Sequence, residues 1–127
     1  MEKLHVAEKL LEQGGVLLDI RTGEEYAKGH LCGSHNIPTP LPPLNREKQA
    51  QLLHQLQYFM RRSNVRPNTP IIVYCKKGIR AAEACCQLLQ KLGMKRVMNL
   101  GGVLDEPLKG IMSGRIRSKF LKRCPAH

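Results

Sequence analysis

Apolar positions along this chain follow two alternating patterns. Val16-Leu17-Leu18-Asp19-Ile20 and Ile71-Ile72-Val73-Tyr74 are short, nearly unbroken apolar runs, which suit strands of a parallel sheet covered on both faces. Arg96-Val97-Met98-Asn99-Leu100 predicts a third strand, followed by Gly101-Gly102. Between these runs the apolar spacing is helical. Leu52, Leu53, Leu56, Phe59 and Met60 share one face of a helix expected over 46–62 and capped by Asn45. Ala82, Cys85, Leu88, Leu89 and Leu92 mark the inner face of another, which Gly93 stops. Thr22 is placed to cap a short helix that ends near Gly29, and Glu25 to complete a capping box with it. At the start, Leu4 to Val6 reads as a short strand. A helix follows with Val6, Ala7, Leu10 and Leu11 on one face, and it stops at Gly14-Gly15. The prolines at 40–43 and 67–70 mark loops, because proline lacks the N–H that regular elements use. Strands alternating with helices predict an α/β domain, with a small, mainly parallel sheet flanked by helices on both faces.

Composition narrows the classes of function. A chain of 127 residues has the size of one domain, and 42% hydrophobic with 24% charged residues excludes a disordered segment. Lys+Arg 21 against Asp+Glu 10 gives a net charge of +11, which concentrates anions around the molecule. Aromatic residues are 4% with no Trp, so base-stacking platforms are missing and nucleic acid is disfavoured as a partner. No apolar run approaches a membrane span and Met1-Glu2-Lys3-Leu4-His5 carries no signal-peptide pattern, so a cytoplasmic chain without membrane contact is expected. The cysteines are Cys32, Cys75, Cys85, Cys86 and Cys124. Their odd number and the absence of a Cys-x-x-Cys predict free thiols in a reducing compartment rather than a disulfide framework. Cys124-Pro125-Ala126-His127 is too sparse for a metal site, and no metal is expected.

In a parallel α/β sheet the ligand site lies beyond the C-terminal ends of the strands. Two segments leave those ends: Asp19-Ile20-Arg21, and Cys75-Lys76-Lys77-Gly78-Ile79-Arg80. Cys75 falls where a strand gives way to a helix, so backbone N–H groups of the turn are expected to converge on it. Lys76, Lys77 and Arg80 add cationic charge, and Gly78 lets the turn adopt a conformation other residues resist. Such surroundings favour a thiolate over a thiol, and a thiolate ringed by donors is a nucleophile with its own anion cradle. The bland alternative is a small buried cysteine at a strand end, and the glycine and arginine spacing weighs against it. Asp19 and Arg21 read mainly as a structural ion pair, with donor binding by Arg21 as the functional alternative. His30 reads as a hydrogen-bonded structural residue rather than a base, and Cys85 as a core residue.

The Cys75–Arg80 segment resembles the active-site loop of single-domain rhodaneses, usually Cys-x-x-Gly-x-Arg. Leu18-Asp19-Ile20-Arg21, Glu25 and Gly29-His30-Leu31-Cys32-Gly33-Ser34-His35-Asn36-Ile37-Pro38 are similar to the N-terminal signature of that family. Leu92-Gly93, Val97 and Leu100-Gly101-Gly102 match its C-terminal half in order and spacing. Asp105-Glu106-Pro107 stands where the family usually carries an aromatic residue. The resemblance covers about residues 4 to 110. It implies a rhodanese-like fold and sulfur transfer without a cofactor, through a persulfide on Cys75. Lys76, Lys77, Gly78, Ile79, Arg80 and Arg21 would bind a small anionic sulfur donor such as thiosulfate. The alternative is a non-catalytic rhodanese-like module that binds an anion or a partner. A cysteine-dependent phosphatase, which resembles Cys-x5-Arg, is disfavoured because only four residues separate Cys75 from Arg80. Residues 111–127 lie beyond the domain expected over 1–110, and they carry Arg115, Arg117, Lys119, Lys122 and Arg123 without an acid. The spacing of Ile116 and Phe120 predicts a short helix packed on the domain, its basic face left in solvent and available to an acidic sulfur-accepting protein ahead of RNA.

Overall fold

A computed structural model describes residues 2–124. Four parallel strands form the central sheet in the order β3-β1-β4-β5: β1 (Val16–Asp19), β3 (His35–Asn36), β4 (Ile71–Cys75) and β5 (Val97–Gly102). Helices cover both faces, as alternation along the strands requires. Leu18, Ile20, Ile71 and Val73 point to one side. There they pack on Leu52 and Leu56 of α3 (Arg46–Arg62) and on Ala81, Ala84, Cys85 and Leu88 of α4 (Ile79–Gln90). Leu17, Ile72, Tyr74 and Leu100 point to the other, against Leu4 and Ala7 of α1 (Glu2–Glu12) and Leu108 and Ile111 of α5 (Leu108–Met112).

The caps fall where the sequence places them. The Thr22 hydroxyl accepts from Glu25 N–H and the Glu25 carboxylate accepts from Thr22 N–H, which starts α2 (Gly23–Ala27). Asn45 caps α3 by accepting from the Lys48 amide at 2.9 Å.

Four expectations are corrected. Leu4 to Val6 is not a strand: α1 runs unbroken from Glu2, burying Leu4 and Ala7 while Val6 faces solvent. The inner face of α4 is the expected one only in part: Cys85 and Leu88 are buried and Leu92 packs on the core, but Ala82 and Leu89 are exposed while Arg80, Ala81, Ala84 and Gln87 are buried in their place. No helix forms around Ile116 and Phe120. The helical stretch ends at Met112, Gly114 follows at φ 80°, and the chain returns so that the Ile116 amide bonds Gly110 O at 2.9 Å. Leu121 is nonetheless buried in the second core, and Ile116 packs against it.

The fourth correction concerns the thiols. Cys32 and Cys124 form a disulfide across a sequence separation of 92. It joins the ends of a two-stranded antiparallel ribbon, β2 (His30–Leu31) and β6 (Arg123–Cys124). The pairing depends on where the tail lands in three dimensions, which neither cysteine count nor spacing encodes. Cys75, Cys85 and Cys86 are free. Residues 125–127, including the rest of the sparse Cys124–His127 segment and the end of the expected extension, lie outside the described residues.

Candidate active site

β4 delivers Cys75 to the C-terminal edge of the sheet, and the chain then turns straight into α4. The turn needs Gly78, which adopts φ 90°, a left-handed conformation that side chains resist. Its amide points back and donates to Cys75 Sγ at 3.0 Å, and the Ala81 amide donates to the same sulfur at 3.4 Å. Both belong to the start of a 12-residue helix, whose unpaired N–H groups and dipole favour negative charge at this point. Ala81 lies one residue beyond the cradle expected from Lys76 to Arg80; helical winding brings its amide under the sulfur.

The loop rests on a backbone platform. Val103 N–H donates to Cys75 O at 2.9 Å and Leu104 N–H to Lys76 O at 3.1 Å. The strand beneath must be Gly102, since a Cβ there would sit 2.2 Å from Lys76 O. Asn99, one strand over, donates through Nδ2 to Gly78 O at 3.4 Å and accepts from the Gly101 amide at 2.8 Å. Sequence spacing flagged Gly101-Gly102 but carried no signal for Asn99, whose part depends on the register of β4 with β5.

The charged residues divide into two groups. Lys76 and Lys77 are exposed at the mouth and have no ion pair among the described residues. Arg80 points inward and is 2% exposed. Its guanidinium pairs with Glu25 at 2.8 Å and donates to Thr39 O at 3.1 Å. Arg80 is therefore a strut between α4, α2 and the loop at Thr39, and not the free anion ligand the spacing suggests. Burial works to raise the Glu25 carboxyl, but hydrogen bonds from Arg80 and the Thr22 amide overcome it and hold the group at about 2.

Arg21 takes the structural role that its pairing with Asp19 suggested, and not the donor-binding alternative. It is buried, bidentate on Asp19 with a shortest contact of 2.7 Å, and it donates to Gly29 O at 2.8 Å. It fixes the segment after β1 and does not line the cleft above Cys75. His30 stacks on Tyr26 with ring centroids 3.7 Å apart and its Nδ1 lies 3.0 Å from Tyr26 O, a structural setting. Burial, then the neighbouring Cys75 and Cys86, push the Cys85 thiol up to about 12, as befits a core residue.

The cleft over the sulfur has a volume of about 290 Å³, at the lower end for small-molecule sites. Cys75, Lys76, Lys77, Ile79 and Arg80 form its base, and Leu41 and Pro42 form a wall that the sequence reading assigned only to a loop. The arrangement suits a small anion: cations at the entrance, amides at the floor, and a single nucleophilic atom between them. Among the described residues no group of three or more His, Cys, Asp or Glu side chains is placed to hold a metal ion. None of the helices among the described residues is long and apolar enough to cross a membrane.

Comparison with known proteins points the same way. Residues 4–106 match the family model of the Rhodanese-like domain. The chain is 35% identical over 99 residues to thiosulfate sulfurtransferase 18 of Arabidopsis thaliana, covering 76% of this chain and 68% of that protein. It is 31% identical over 101 residues to a sulfurtransferase of Allochromatium vinosum, covering 78% of each. Among solved structures, the human single-domain sulfurtransferase TSTD1 superposes with a TM-score of 0.56 at 27% identity, covering 78% of this chain and 86% of that one.

Proposed function

This chain belongs to the Rhodanese-like domain family, and we propose that it is a sulfurtransferase that carries sulfane sulfur as a persulfide on Cys75. Thiosulfate, or a donor of the same chemistry, enters past Lys76 and Lys77. The Cys75 thiolate attacks its outer sulfur, the S–S bond of the donor breaks, and sulfite leaves with the bonding pair. Thiosulfate carries two negative charges and sulfite leaves with two, so the enzyme keeps one, on the terminal sulfur of the persulfide. A thiophilic acceptor, cyanide or a thiolate, then attacks that terminal sulfur and returns Cys75 to the thiolate. Neither step requires a general base, which agrees with the structural setting of His30.

One observation carries this reading: Cys75 Sγ already accepts two amide hydrogen bonds at the start of α4. The same donors serve the anionic terminal sulfur that the first step creates. The short interval from Cys75 to Arg80 supports a sulfur atom rather than a phosphoryl group. Arg80, the residue a phosphatase would turn to its substrate oxygens, is tied to Glu25 instead.

A cytoplasmic location belongs to the same proposal, and the free thiols Cys75, Cys85 and Cys86 support it. The Cys32–Cys124 bond weighs against it, since cytosolic proteins seldom keep disulfides. Thiol alkylation of the protein in intact cells decides the point: free Cys32 and Cys124 support the cytoplasm, and a persistent bond places the chain elsewhere. The activity itself is tested by following thiosulfate-to-cyanide sulfur transfer. Turnover by the native chain and none by Cys75→Ser is expected, and equal turnover by both overturns the proposal.

A further inference from the structure

The Cys75 cleft is the first part of a longer groove. Across a ridge made by Pro42 and Ile79, which line both hollows, a second depression opens between the 42–44 loop and α4. Its lining includes Pro43 and Leu44 of the loop, Ala82 and Glu83 of α4, and Gln49 of α3. Its volume is about 740 Å³, more than twice that of the reactive cleft, and its lining is mostly apolar. Two of the exposed large hydrophobic residues of the molecule stand along this groove: Leu41, which lines the reactive cleft, is 56% exposed, and Ile79, on the ridge, is 57% exposed. Thiosulfate and cyanide are small hydrophilic ions, and an apolar wall offers them nothing. The wall has a use only if one of the reactants carries an apolar body.

The donor side is anion-selective at Lys76 and Lys77, so the apolar reactant is the acceptor. Charge along the groove is polar in one direction. The lysines flank the sulfur, and Glu83 is the charged side chain of the second depression. An acceptor matched to both ends has its thiol over Cys75, an acidic group beside the lysines, and apolar side chains a few residues away in the second depression, away from acids. A chain segment meets this description, because it can place unlike groups at fixed intervals on both sides of one cysteine. Resting on the sulfurtransferase reading above, we propose that the physiological acceptor is a protein cysteine in an exposed segment, with acidic residues on one side and apolar residues on the other, bound along the groove from Lys76 to Ala82. Transfer is an exchange: the acceptor thiolate forms a bond to the terminal sulfur, the Cys75–sulfur bond breaks, and a persulfide anion leaves on the acceptor as the Cys75 thiolate is restored.

The test uses the full chain with three synthetic nonapeptides, each with one central cysteine: one with aspartates before it and leucines after, one with that order reversed, and one with serines on both sides. Thiosulfate is the donor, peptide persulfide is measured by mass spectrometry, and cyanide is assayed in parallel. One of the two amphipathic peptides is expected to accept sulfur with kcat/KM at least tenfold above the serine peptide. Ala82→Gln, an exposed and helix-compatible substitution that fills the second depression, should remove most of that advantage and leave cyanide turnover as it was. Equal rates for all three peptides overturn the inference, as does an advantage untouched by Ala82→Gln. So does 2-phenylethanethiol accepting as well as the better peptide, because the groove then serves a small apolar thiol. Cyanide turnover in each of those cases leaves the sulfurtransferase reading standing; its absence removes both.

Discussion

The Glu25 carboxylate grips the Arg80 guanidinium at 2.8 Å and 3.3 Å across 55 residues of chain. The same carboxylate closes the capping box of α2. One side chain therefore joins the start of α2 to the first turn of α4, which is the turn that aims amides at Cys75. Replacing it with Glu25→Gln leaves Arg80 buried without its counter-charge, a loss on the order of 3 kcal/mol for a buried pair broken on one side. Urea unfolding should show a lower midpoint for Glu25→Gln with an unchanged slope.

The same pair sets part of the acid limit. Glu25 titrates at about 2 when folded, below the 4.5 of the free group. The folded state thus favours the charged form. This contribution to stability is complete above 4.5, shrinks as pH falls below it, and is gone once pH passes below about 2. Between those limits the native chain should lose stability with acid more steeply than Glu25→Gln, as a pair of urea titrations at successive pH values will report.

The platform under the loop predicts a severe phenotype for a small change. A Cβ at Gly102 meets backbone at Lys76 O and Lys77 Cα, where nothing flexible can yield. Gly102→Ala should push the Cys75 loop off β5, costing roughly 2 kcal/mol or more as overpacking does. Turnover should fall together with stability. Gly33→Ala, at a glycine with φ 82° and open space around it, should cost only stability.

How far the sequence foretold this depends on whether the determinants are contiguous. The nucleophile, its glycine and the strand-to-helix turn lie within six residues, and caps such as Thr22 and Asn45 are local as well; all can be found by spacing. The direction of Arg80 is not local. It follows from the phase of α4 and from Glu25 waiting on another element, and an arginine beside a nucleophile reads as a substrate ligand until its partner is seen. Arg21 is more legible, because its partner Asp19 stands two residues away in the sequence. The Cys32–Cys124 pair and the irregular tail depend on where β6 meets β2, and Gly114 turns the chain out of the helix before Ile116 and Phe120 are reached. Leu41 and Pro42 enter the site by a loop path that proline content announces only as irregular.

The lysines at the mouth act on capture rather than on chemistry. Lys76→Ala combined with Lys77→Ala should raise KM for thiosulfate and lower kcat/KM roughly fivefold in dilute buffer, equivalent to about 1 kcal/mol. The gap between variant and native enzyme should narrow in high salt, where exposed charges are screened. An unchanged KM at low ionic strength would mean that both side chains turn away from the incoming anion.

The disulfide should act on stability and not on turnover. A link across 92 positions restricts the unfolded chain by about 4 to 5 kcal/mol on the loop-entropy account. Cys124→Ser should therefore lower the thermal midpoint clearly while the folded fraction keeps its thiosulfate-to-cyanide rate. A matched loss of rate per folded molecule would place the β2–β6 ribbon in the working of the site.

The most direct measurement is the mass of the Cys75 peptide after the protein is treated with thiosulfate and freed of excess donor. The sulfurtransferase account predicts one added sulfur atom on that peptide, no adduct on Cys85 or Cys86, and complete removal of the added sulfur by cyanide with release of thiocyanate. An unmodified Cys75 in a folded protein, or an adduct that cyanide leaves in place, would contradict it.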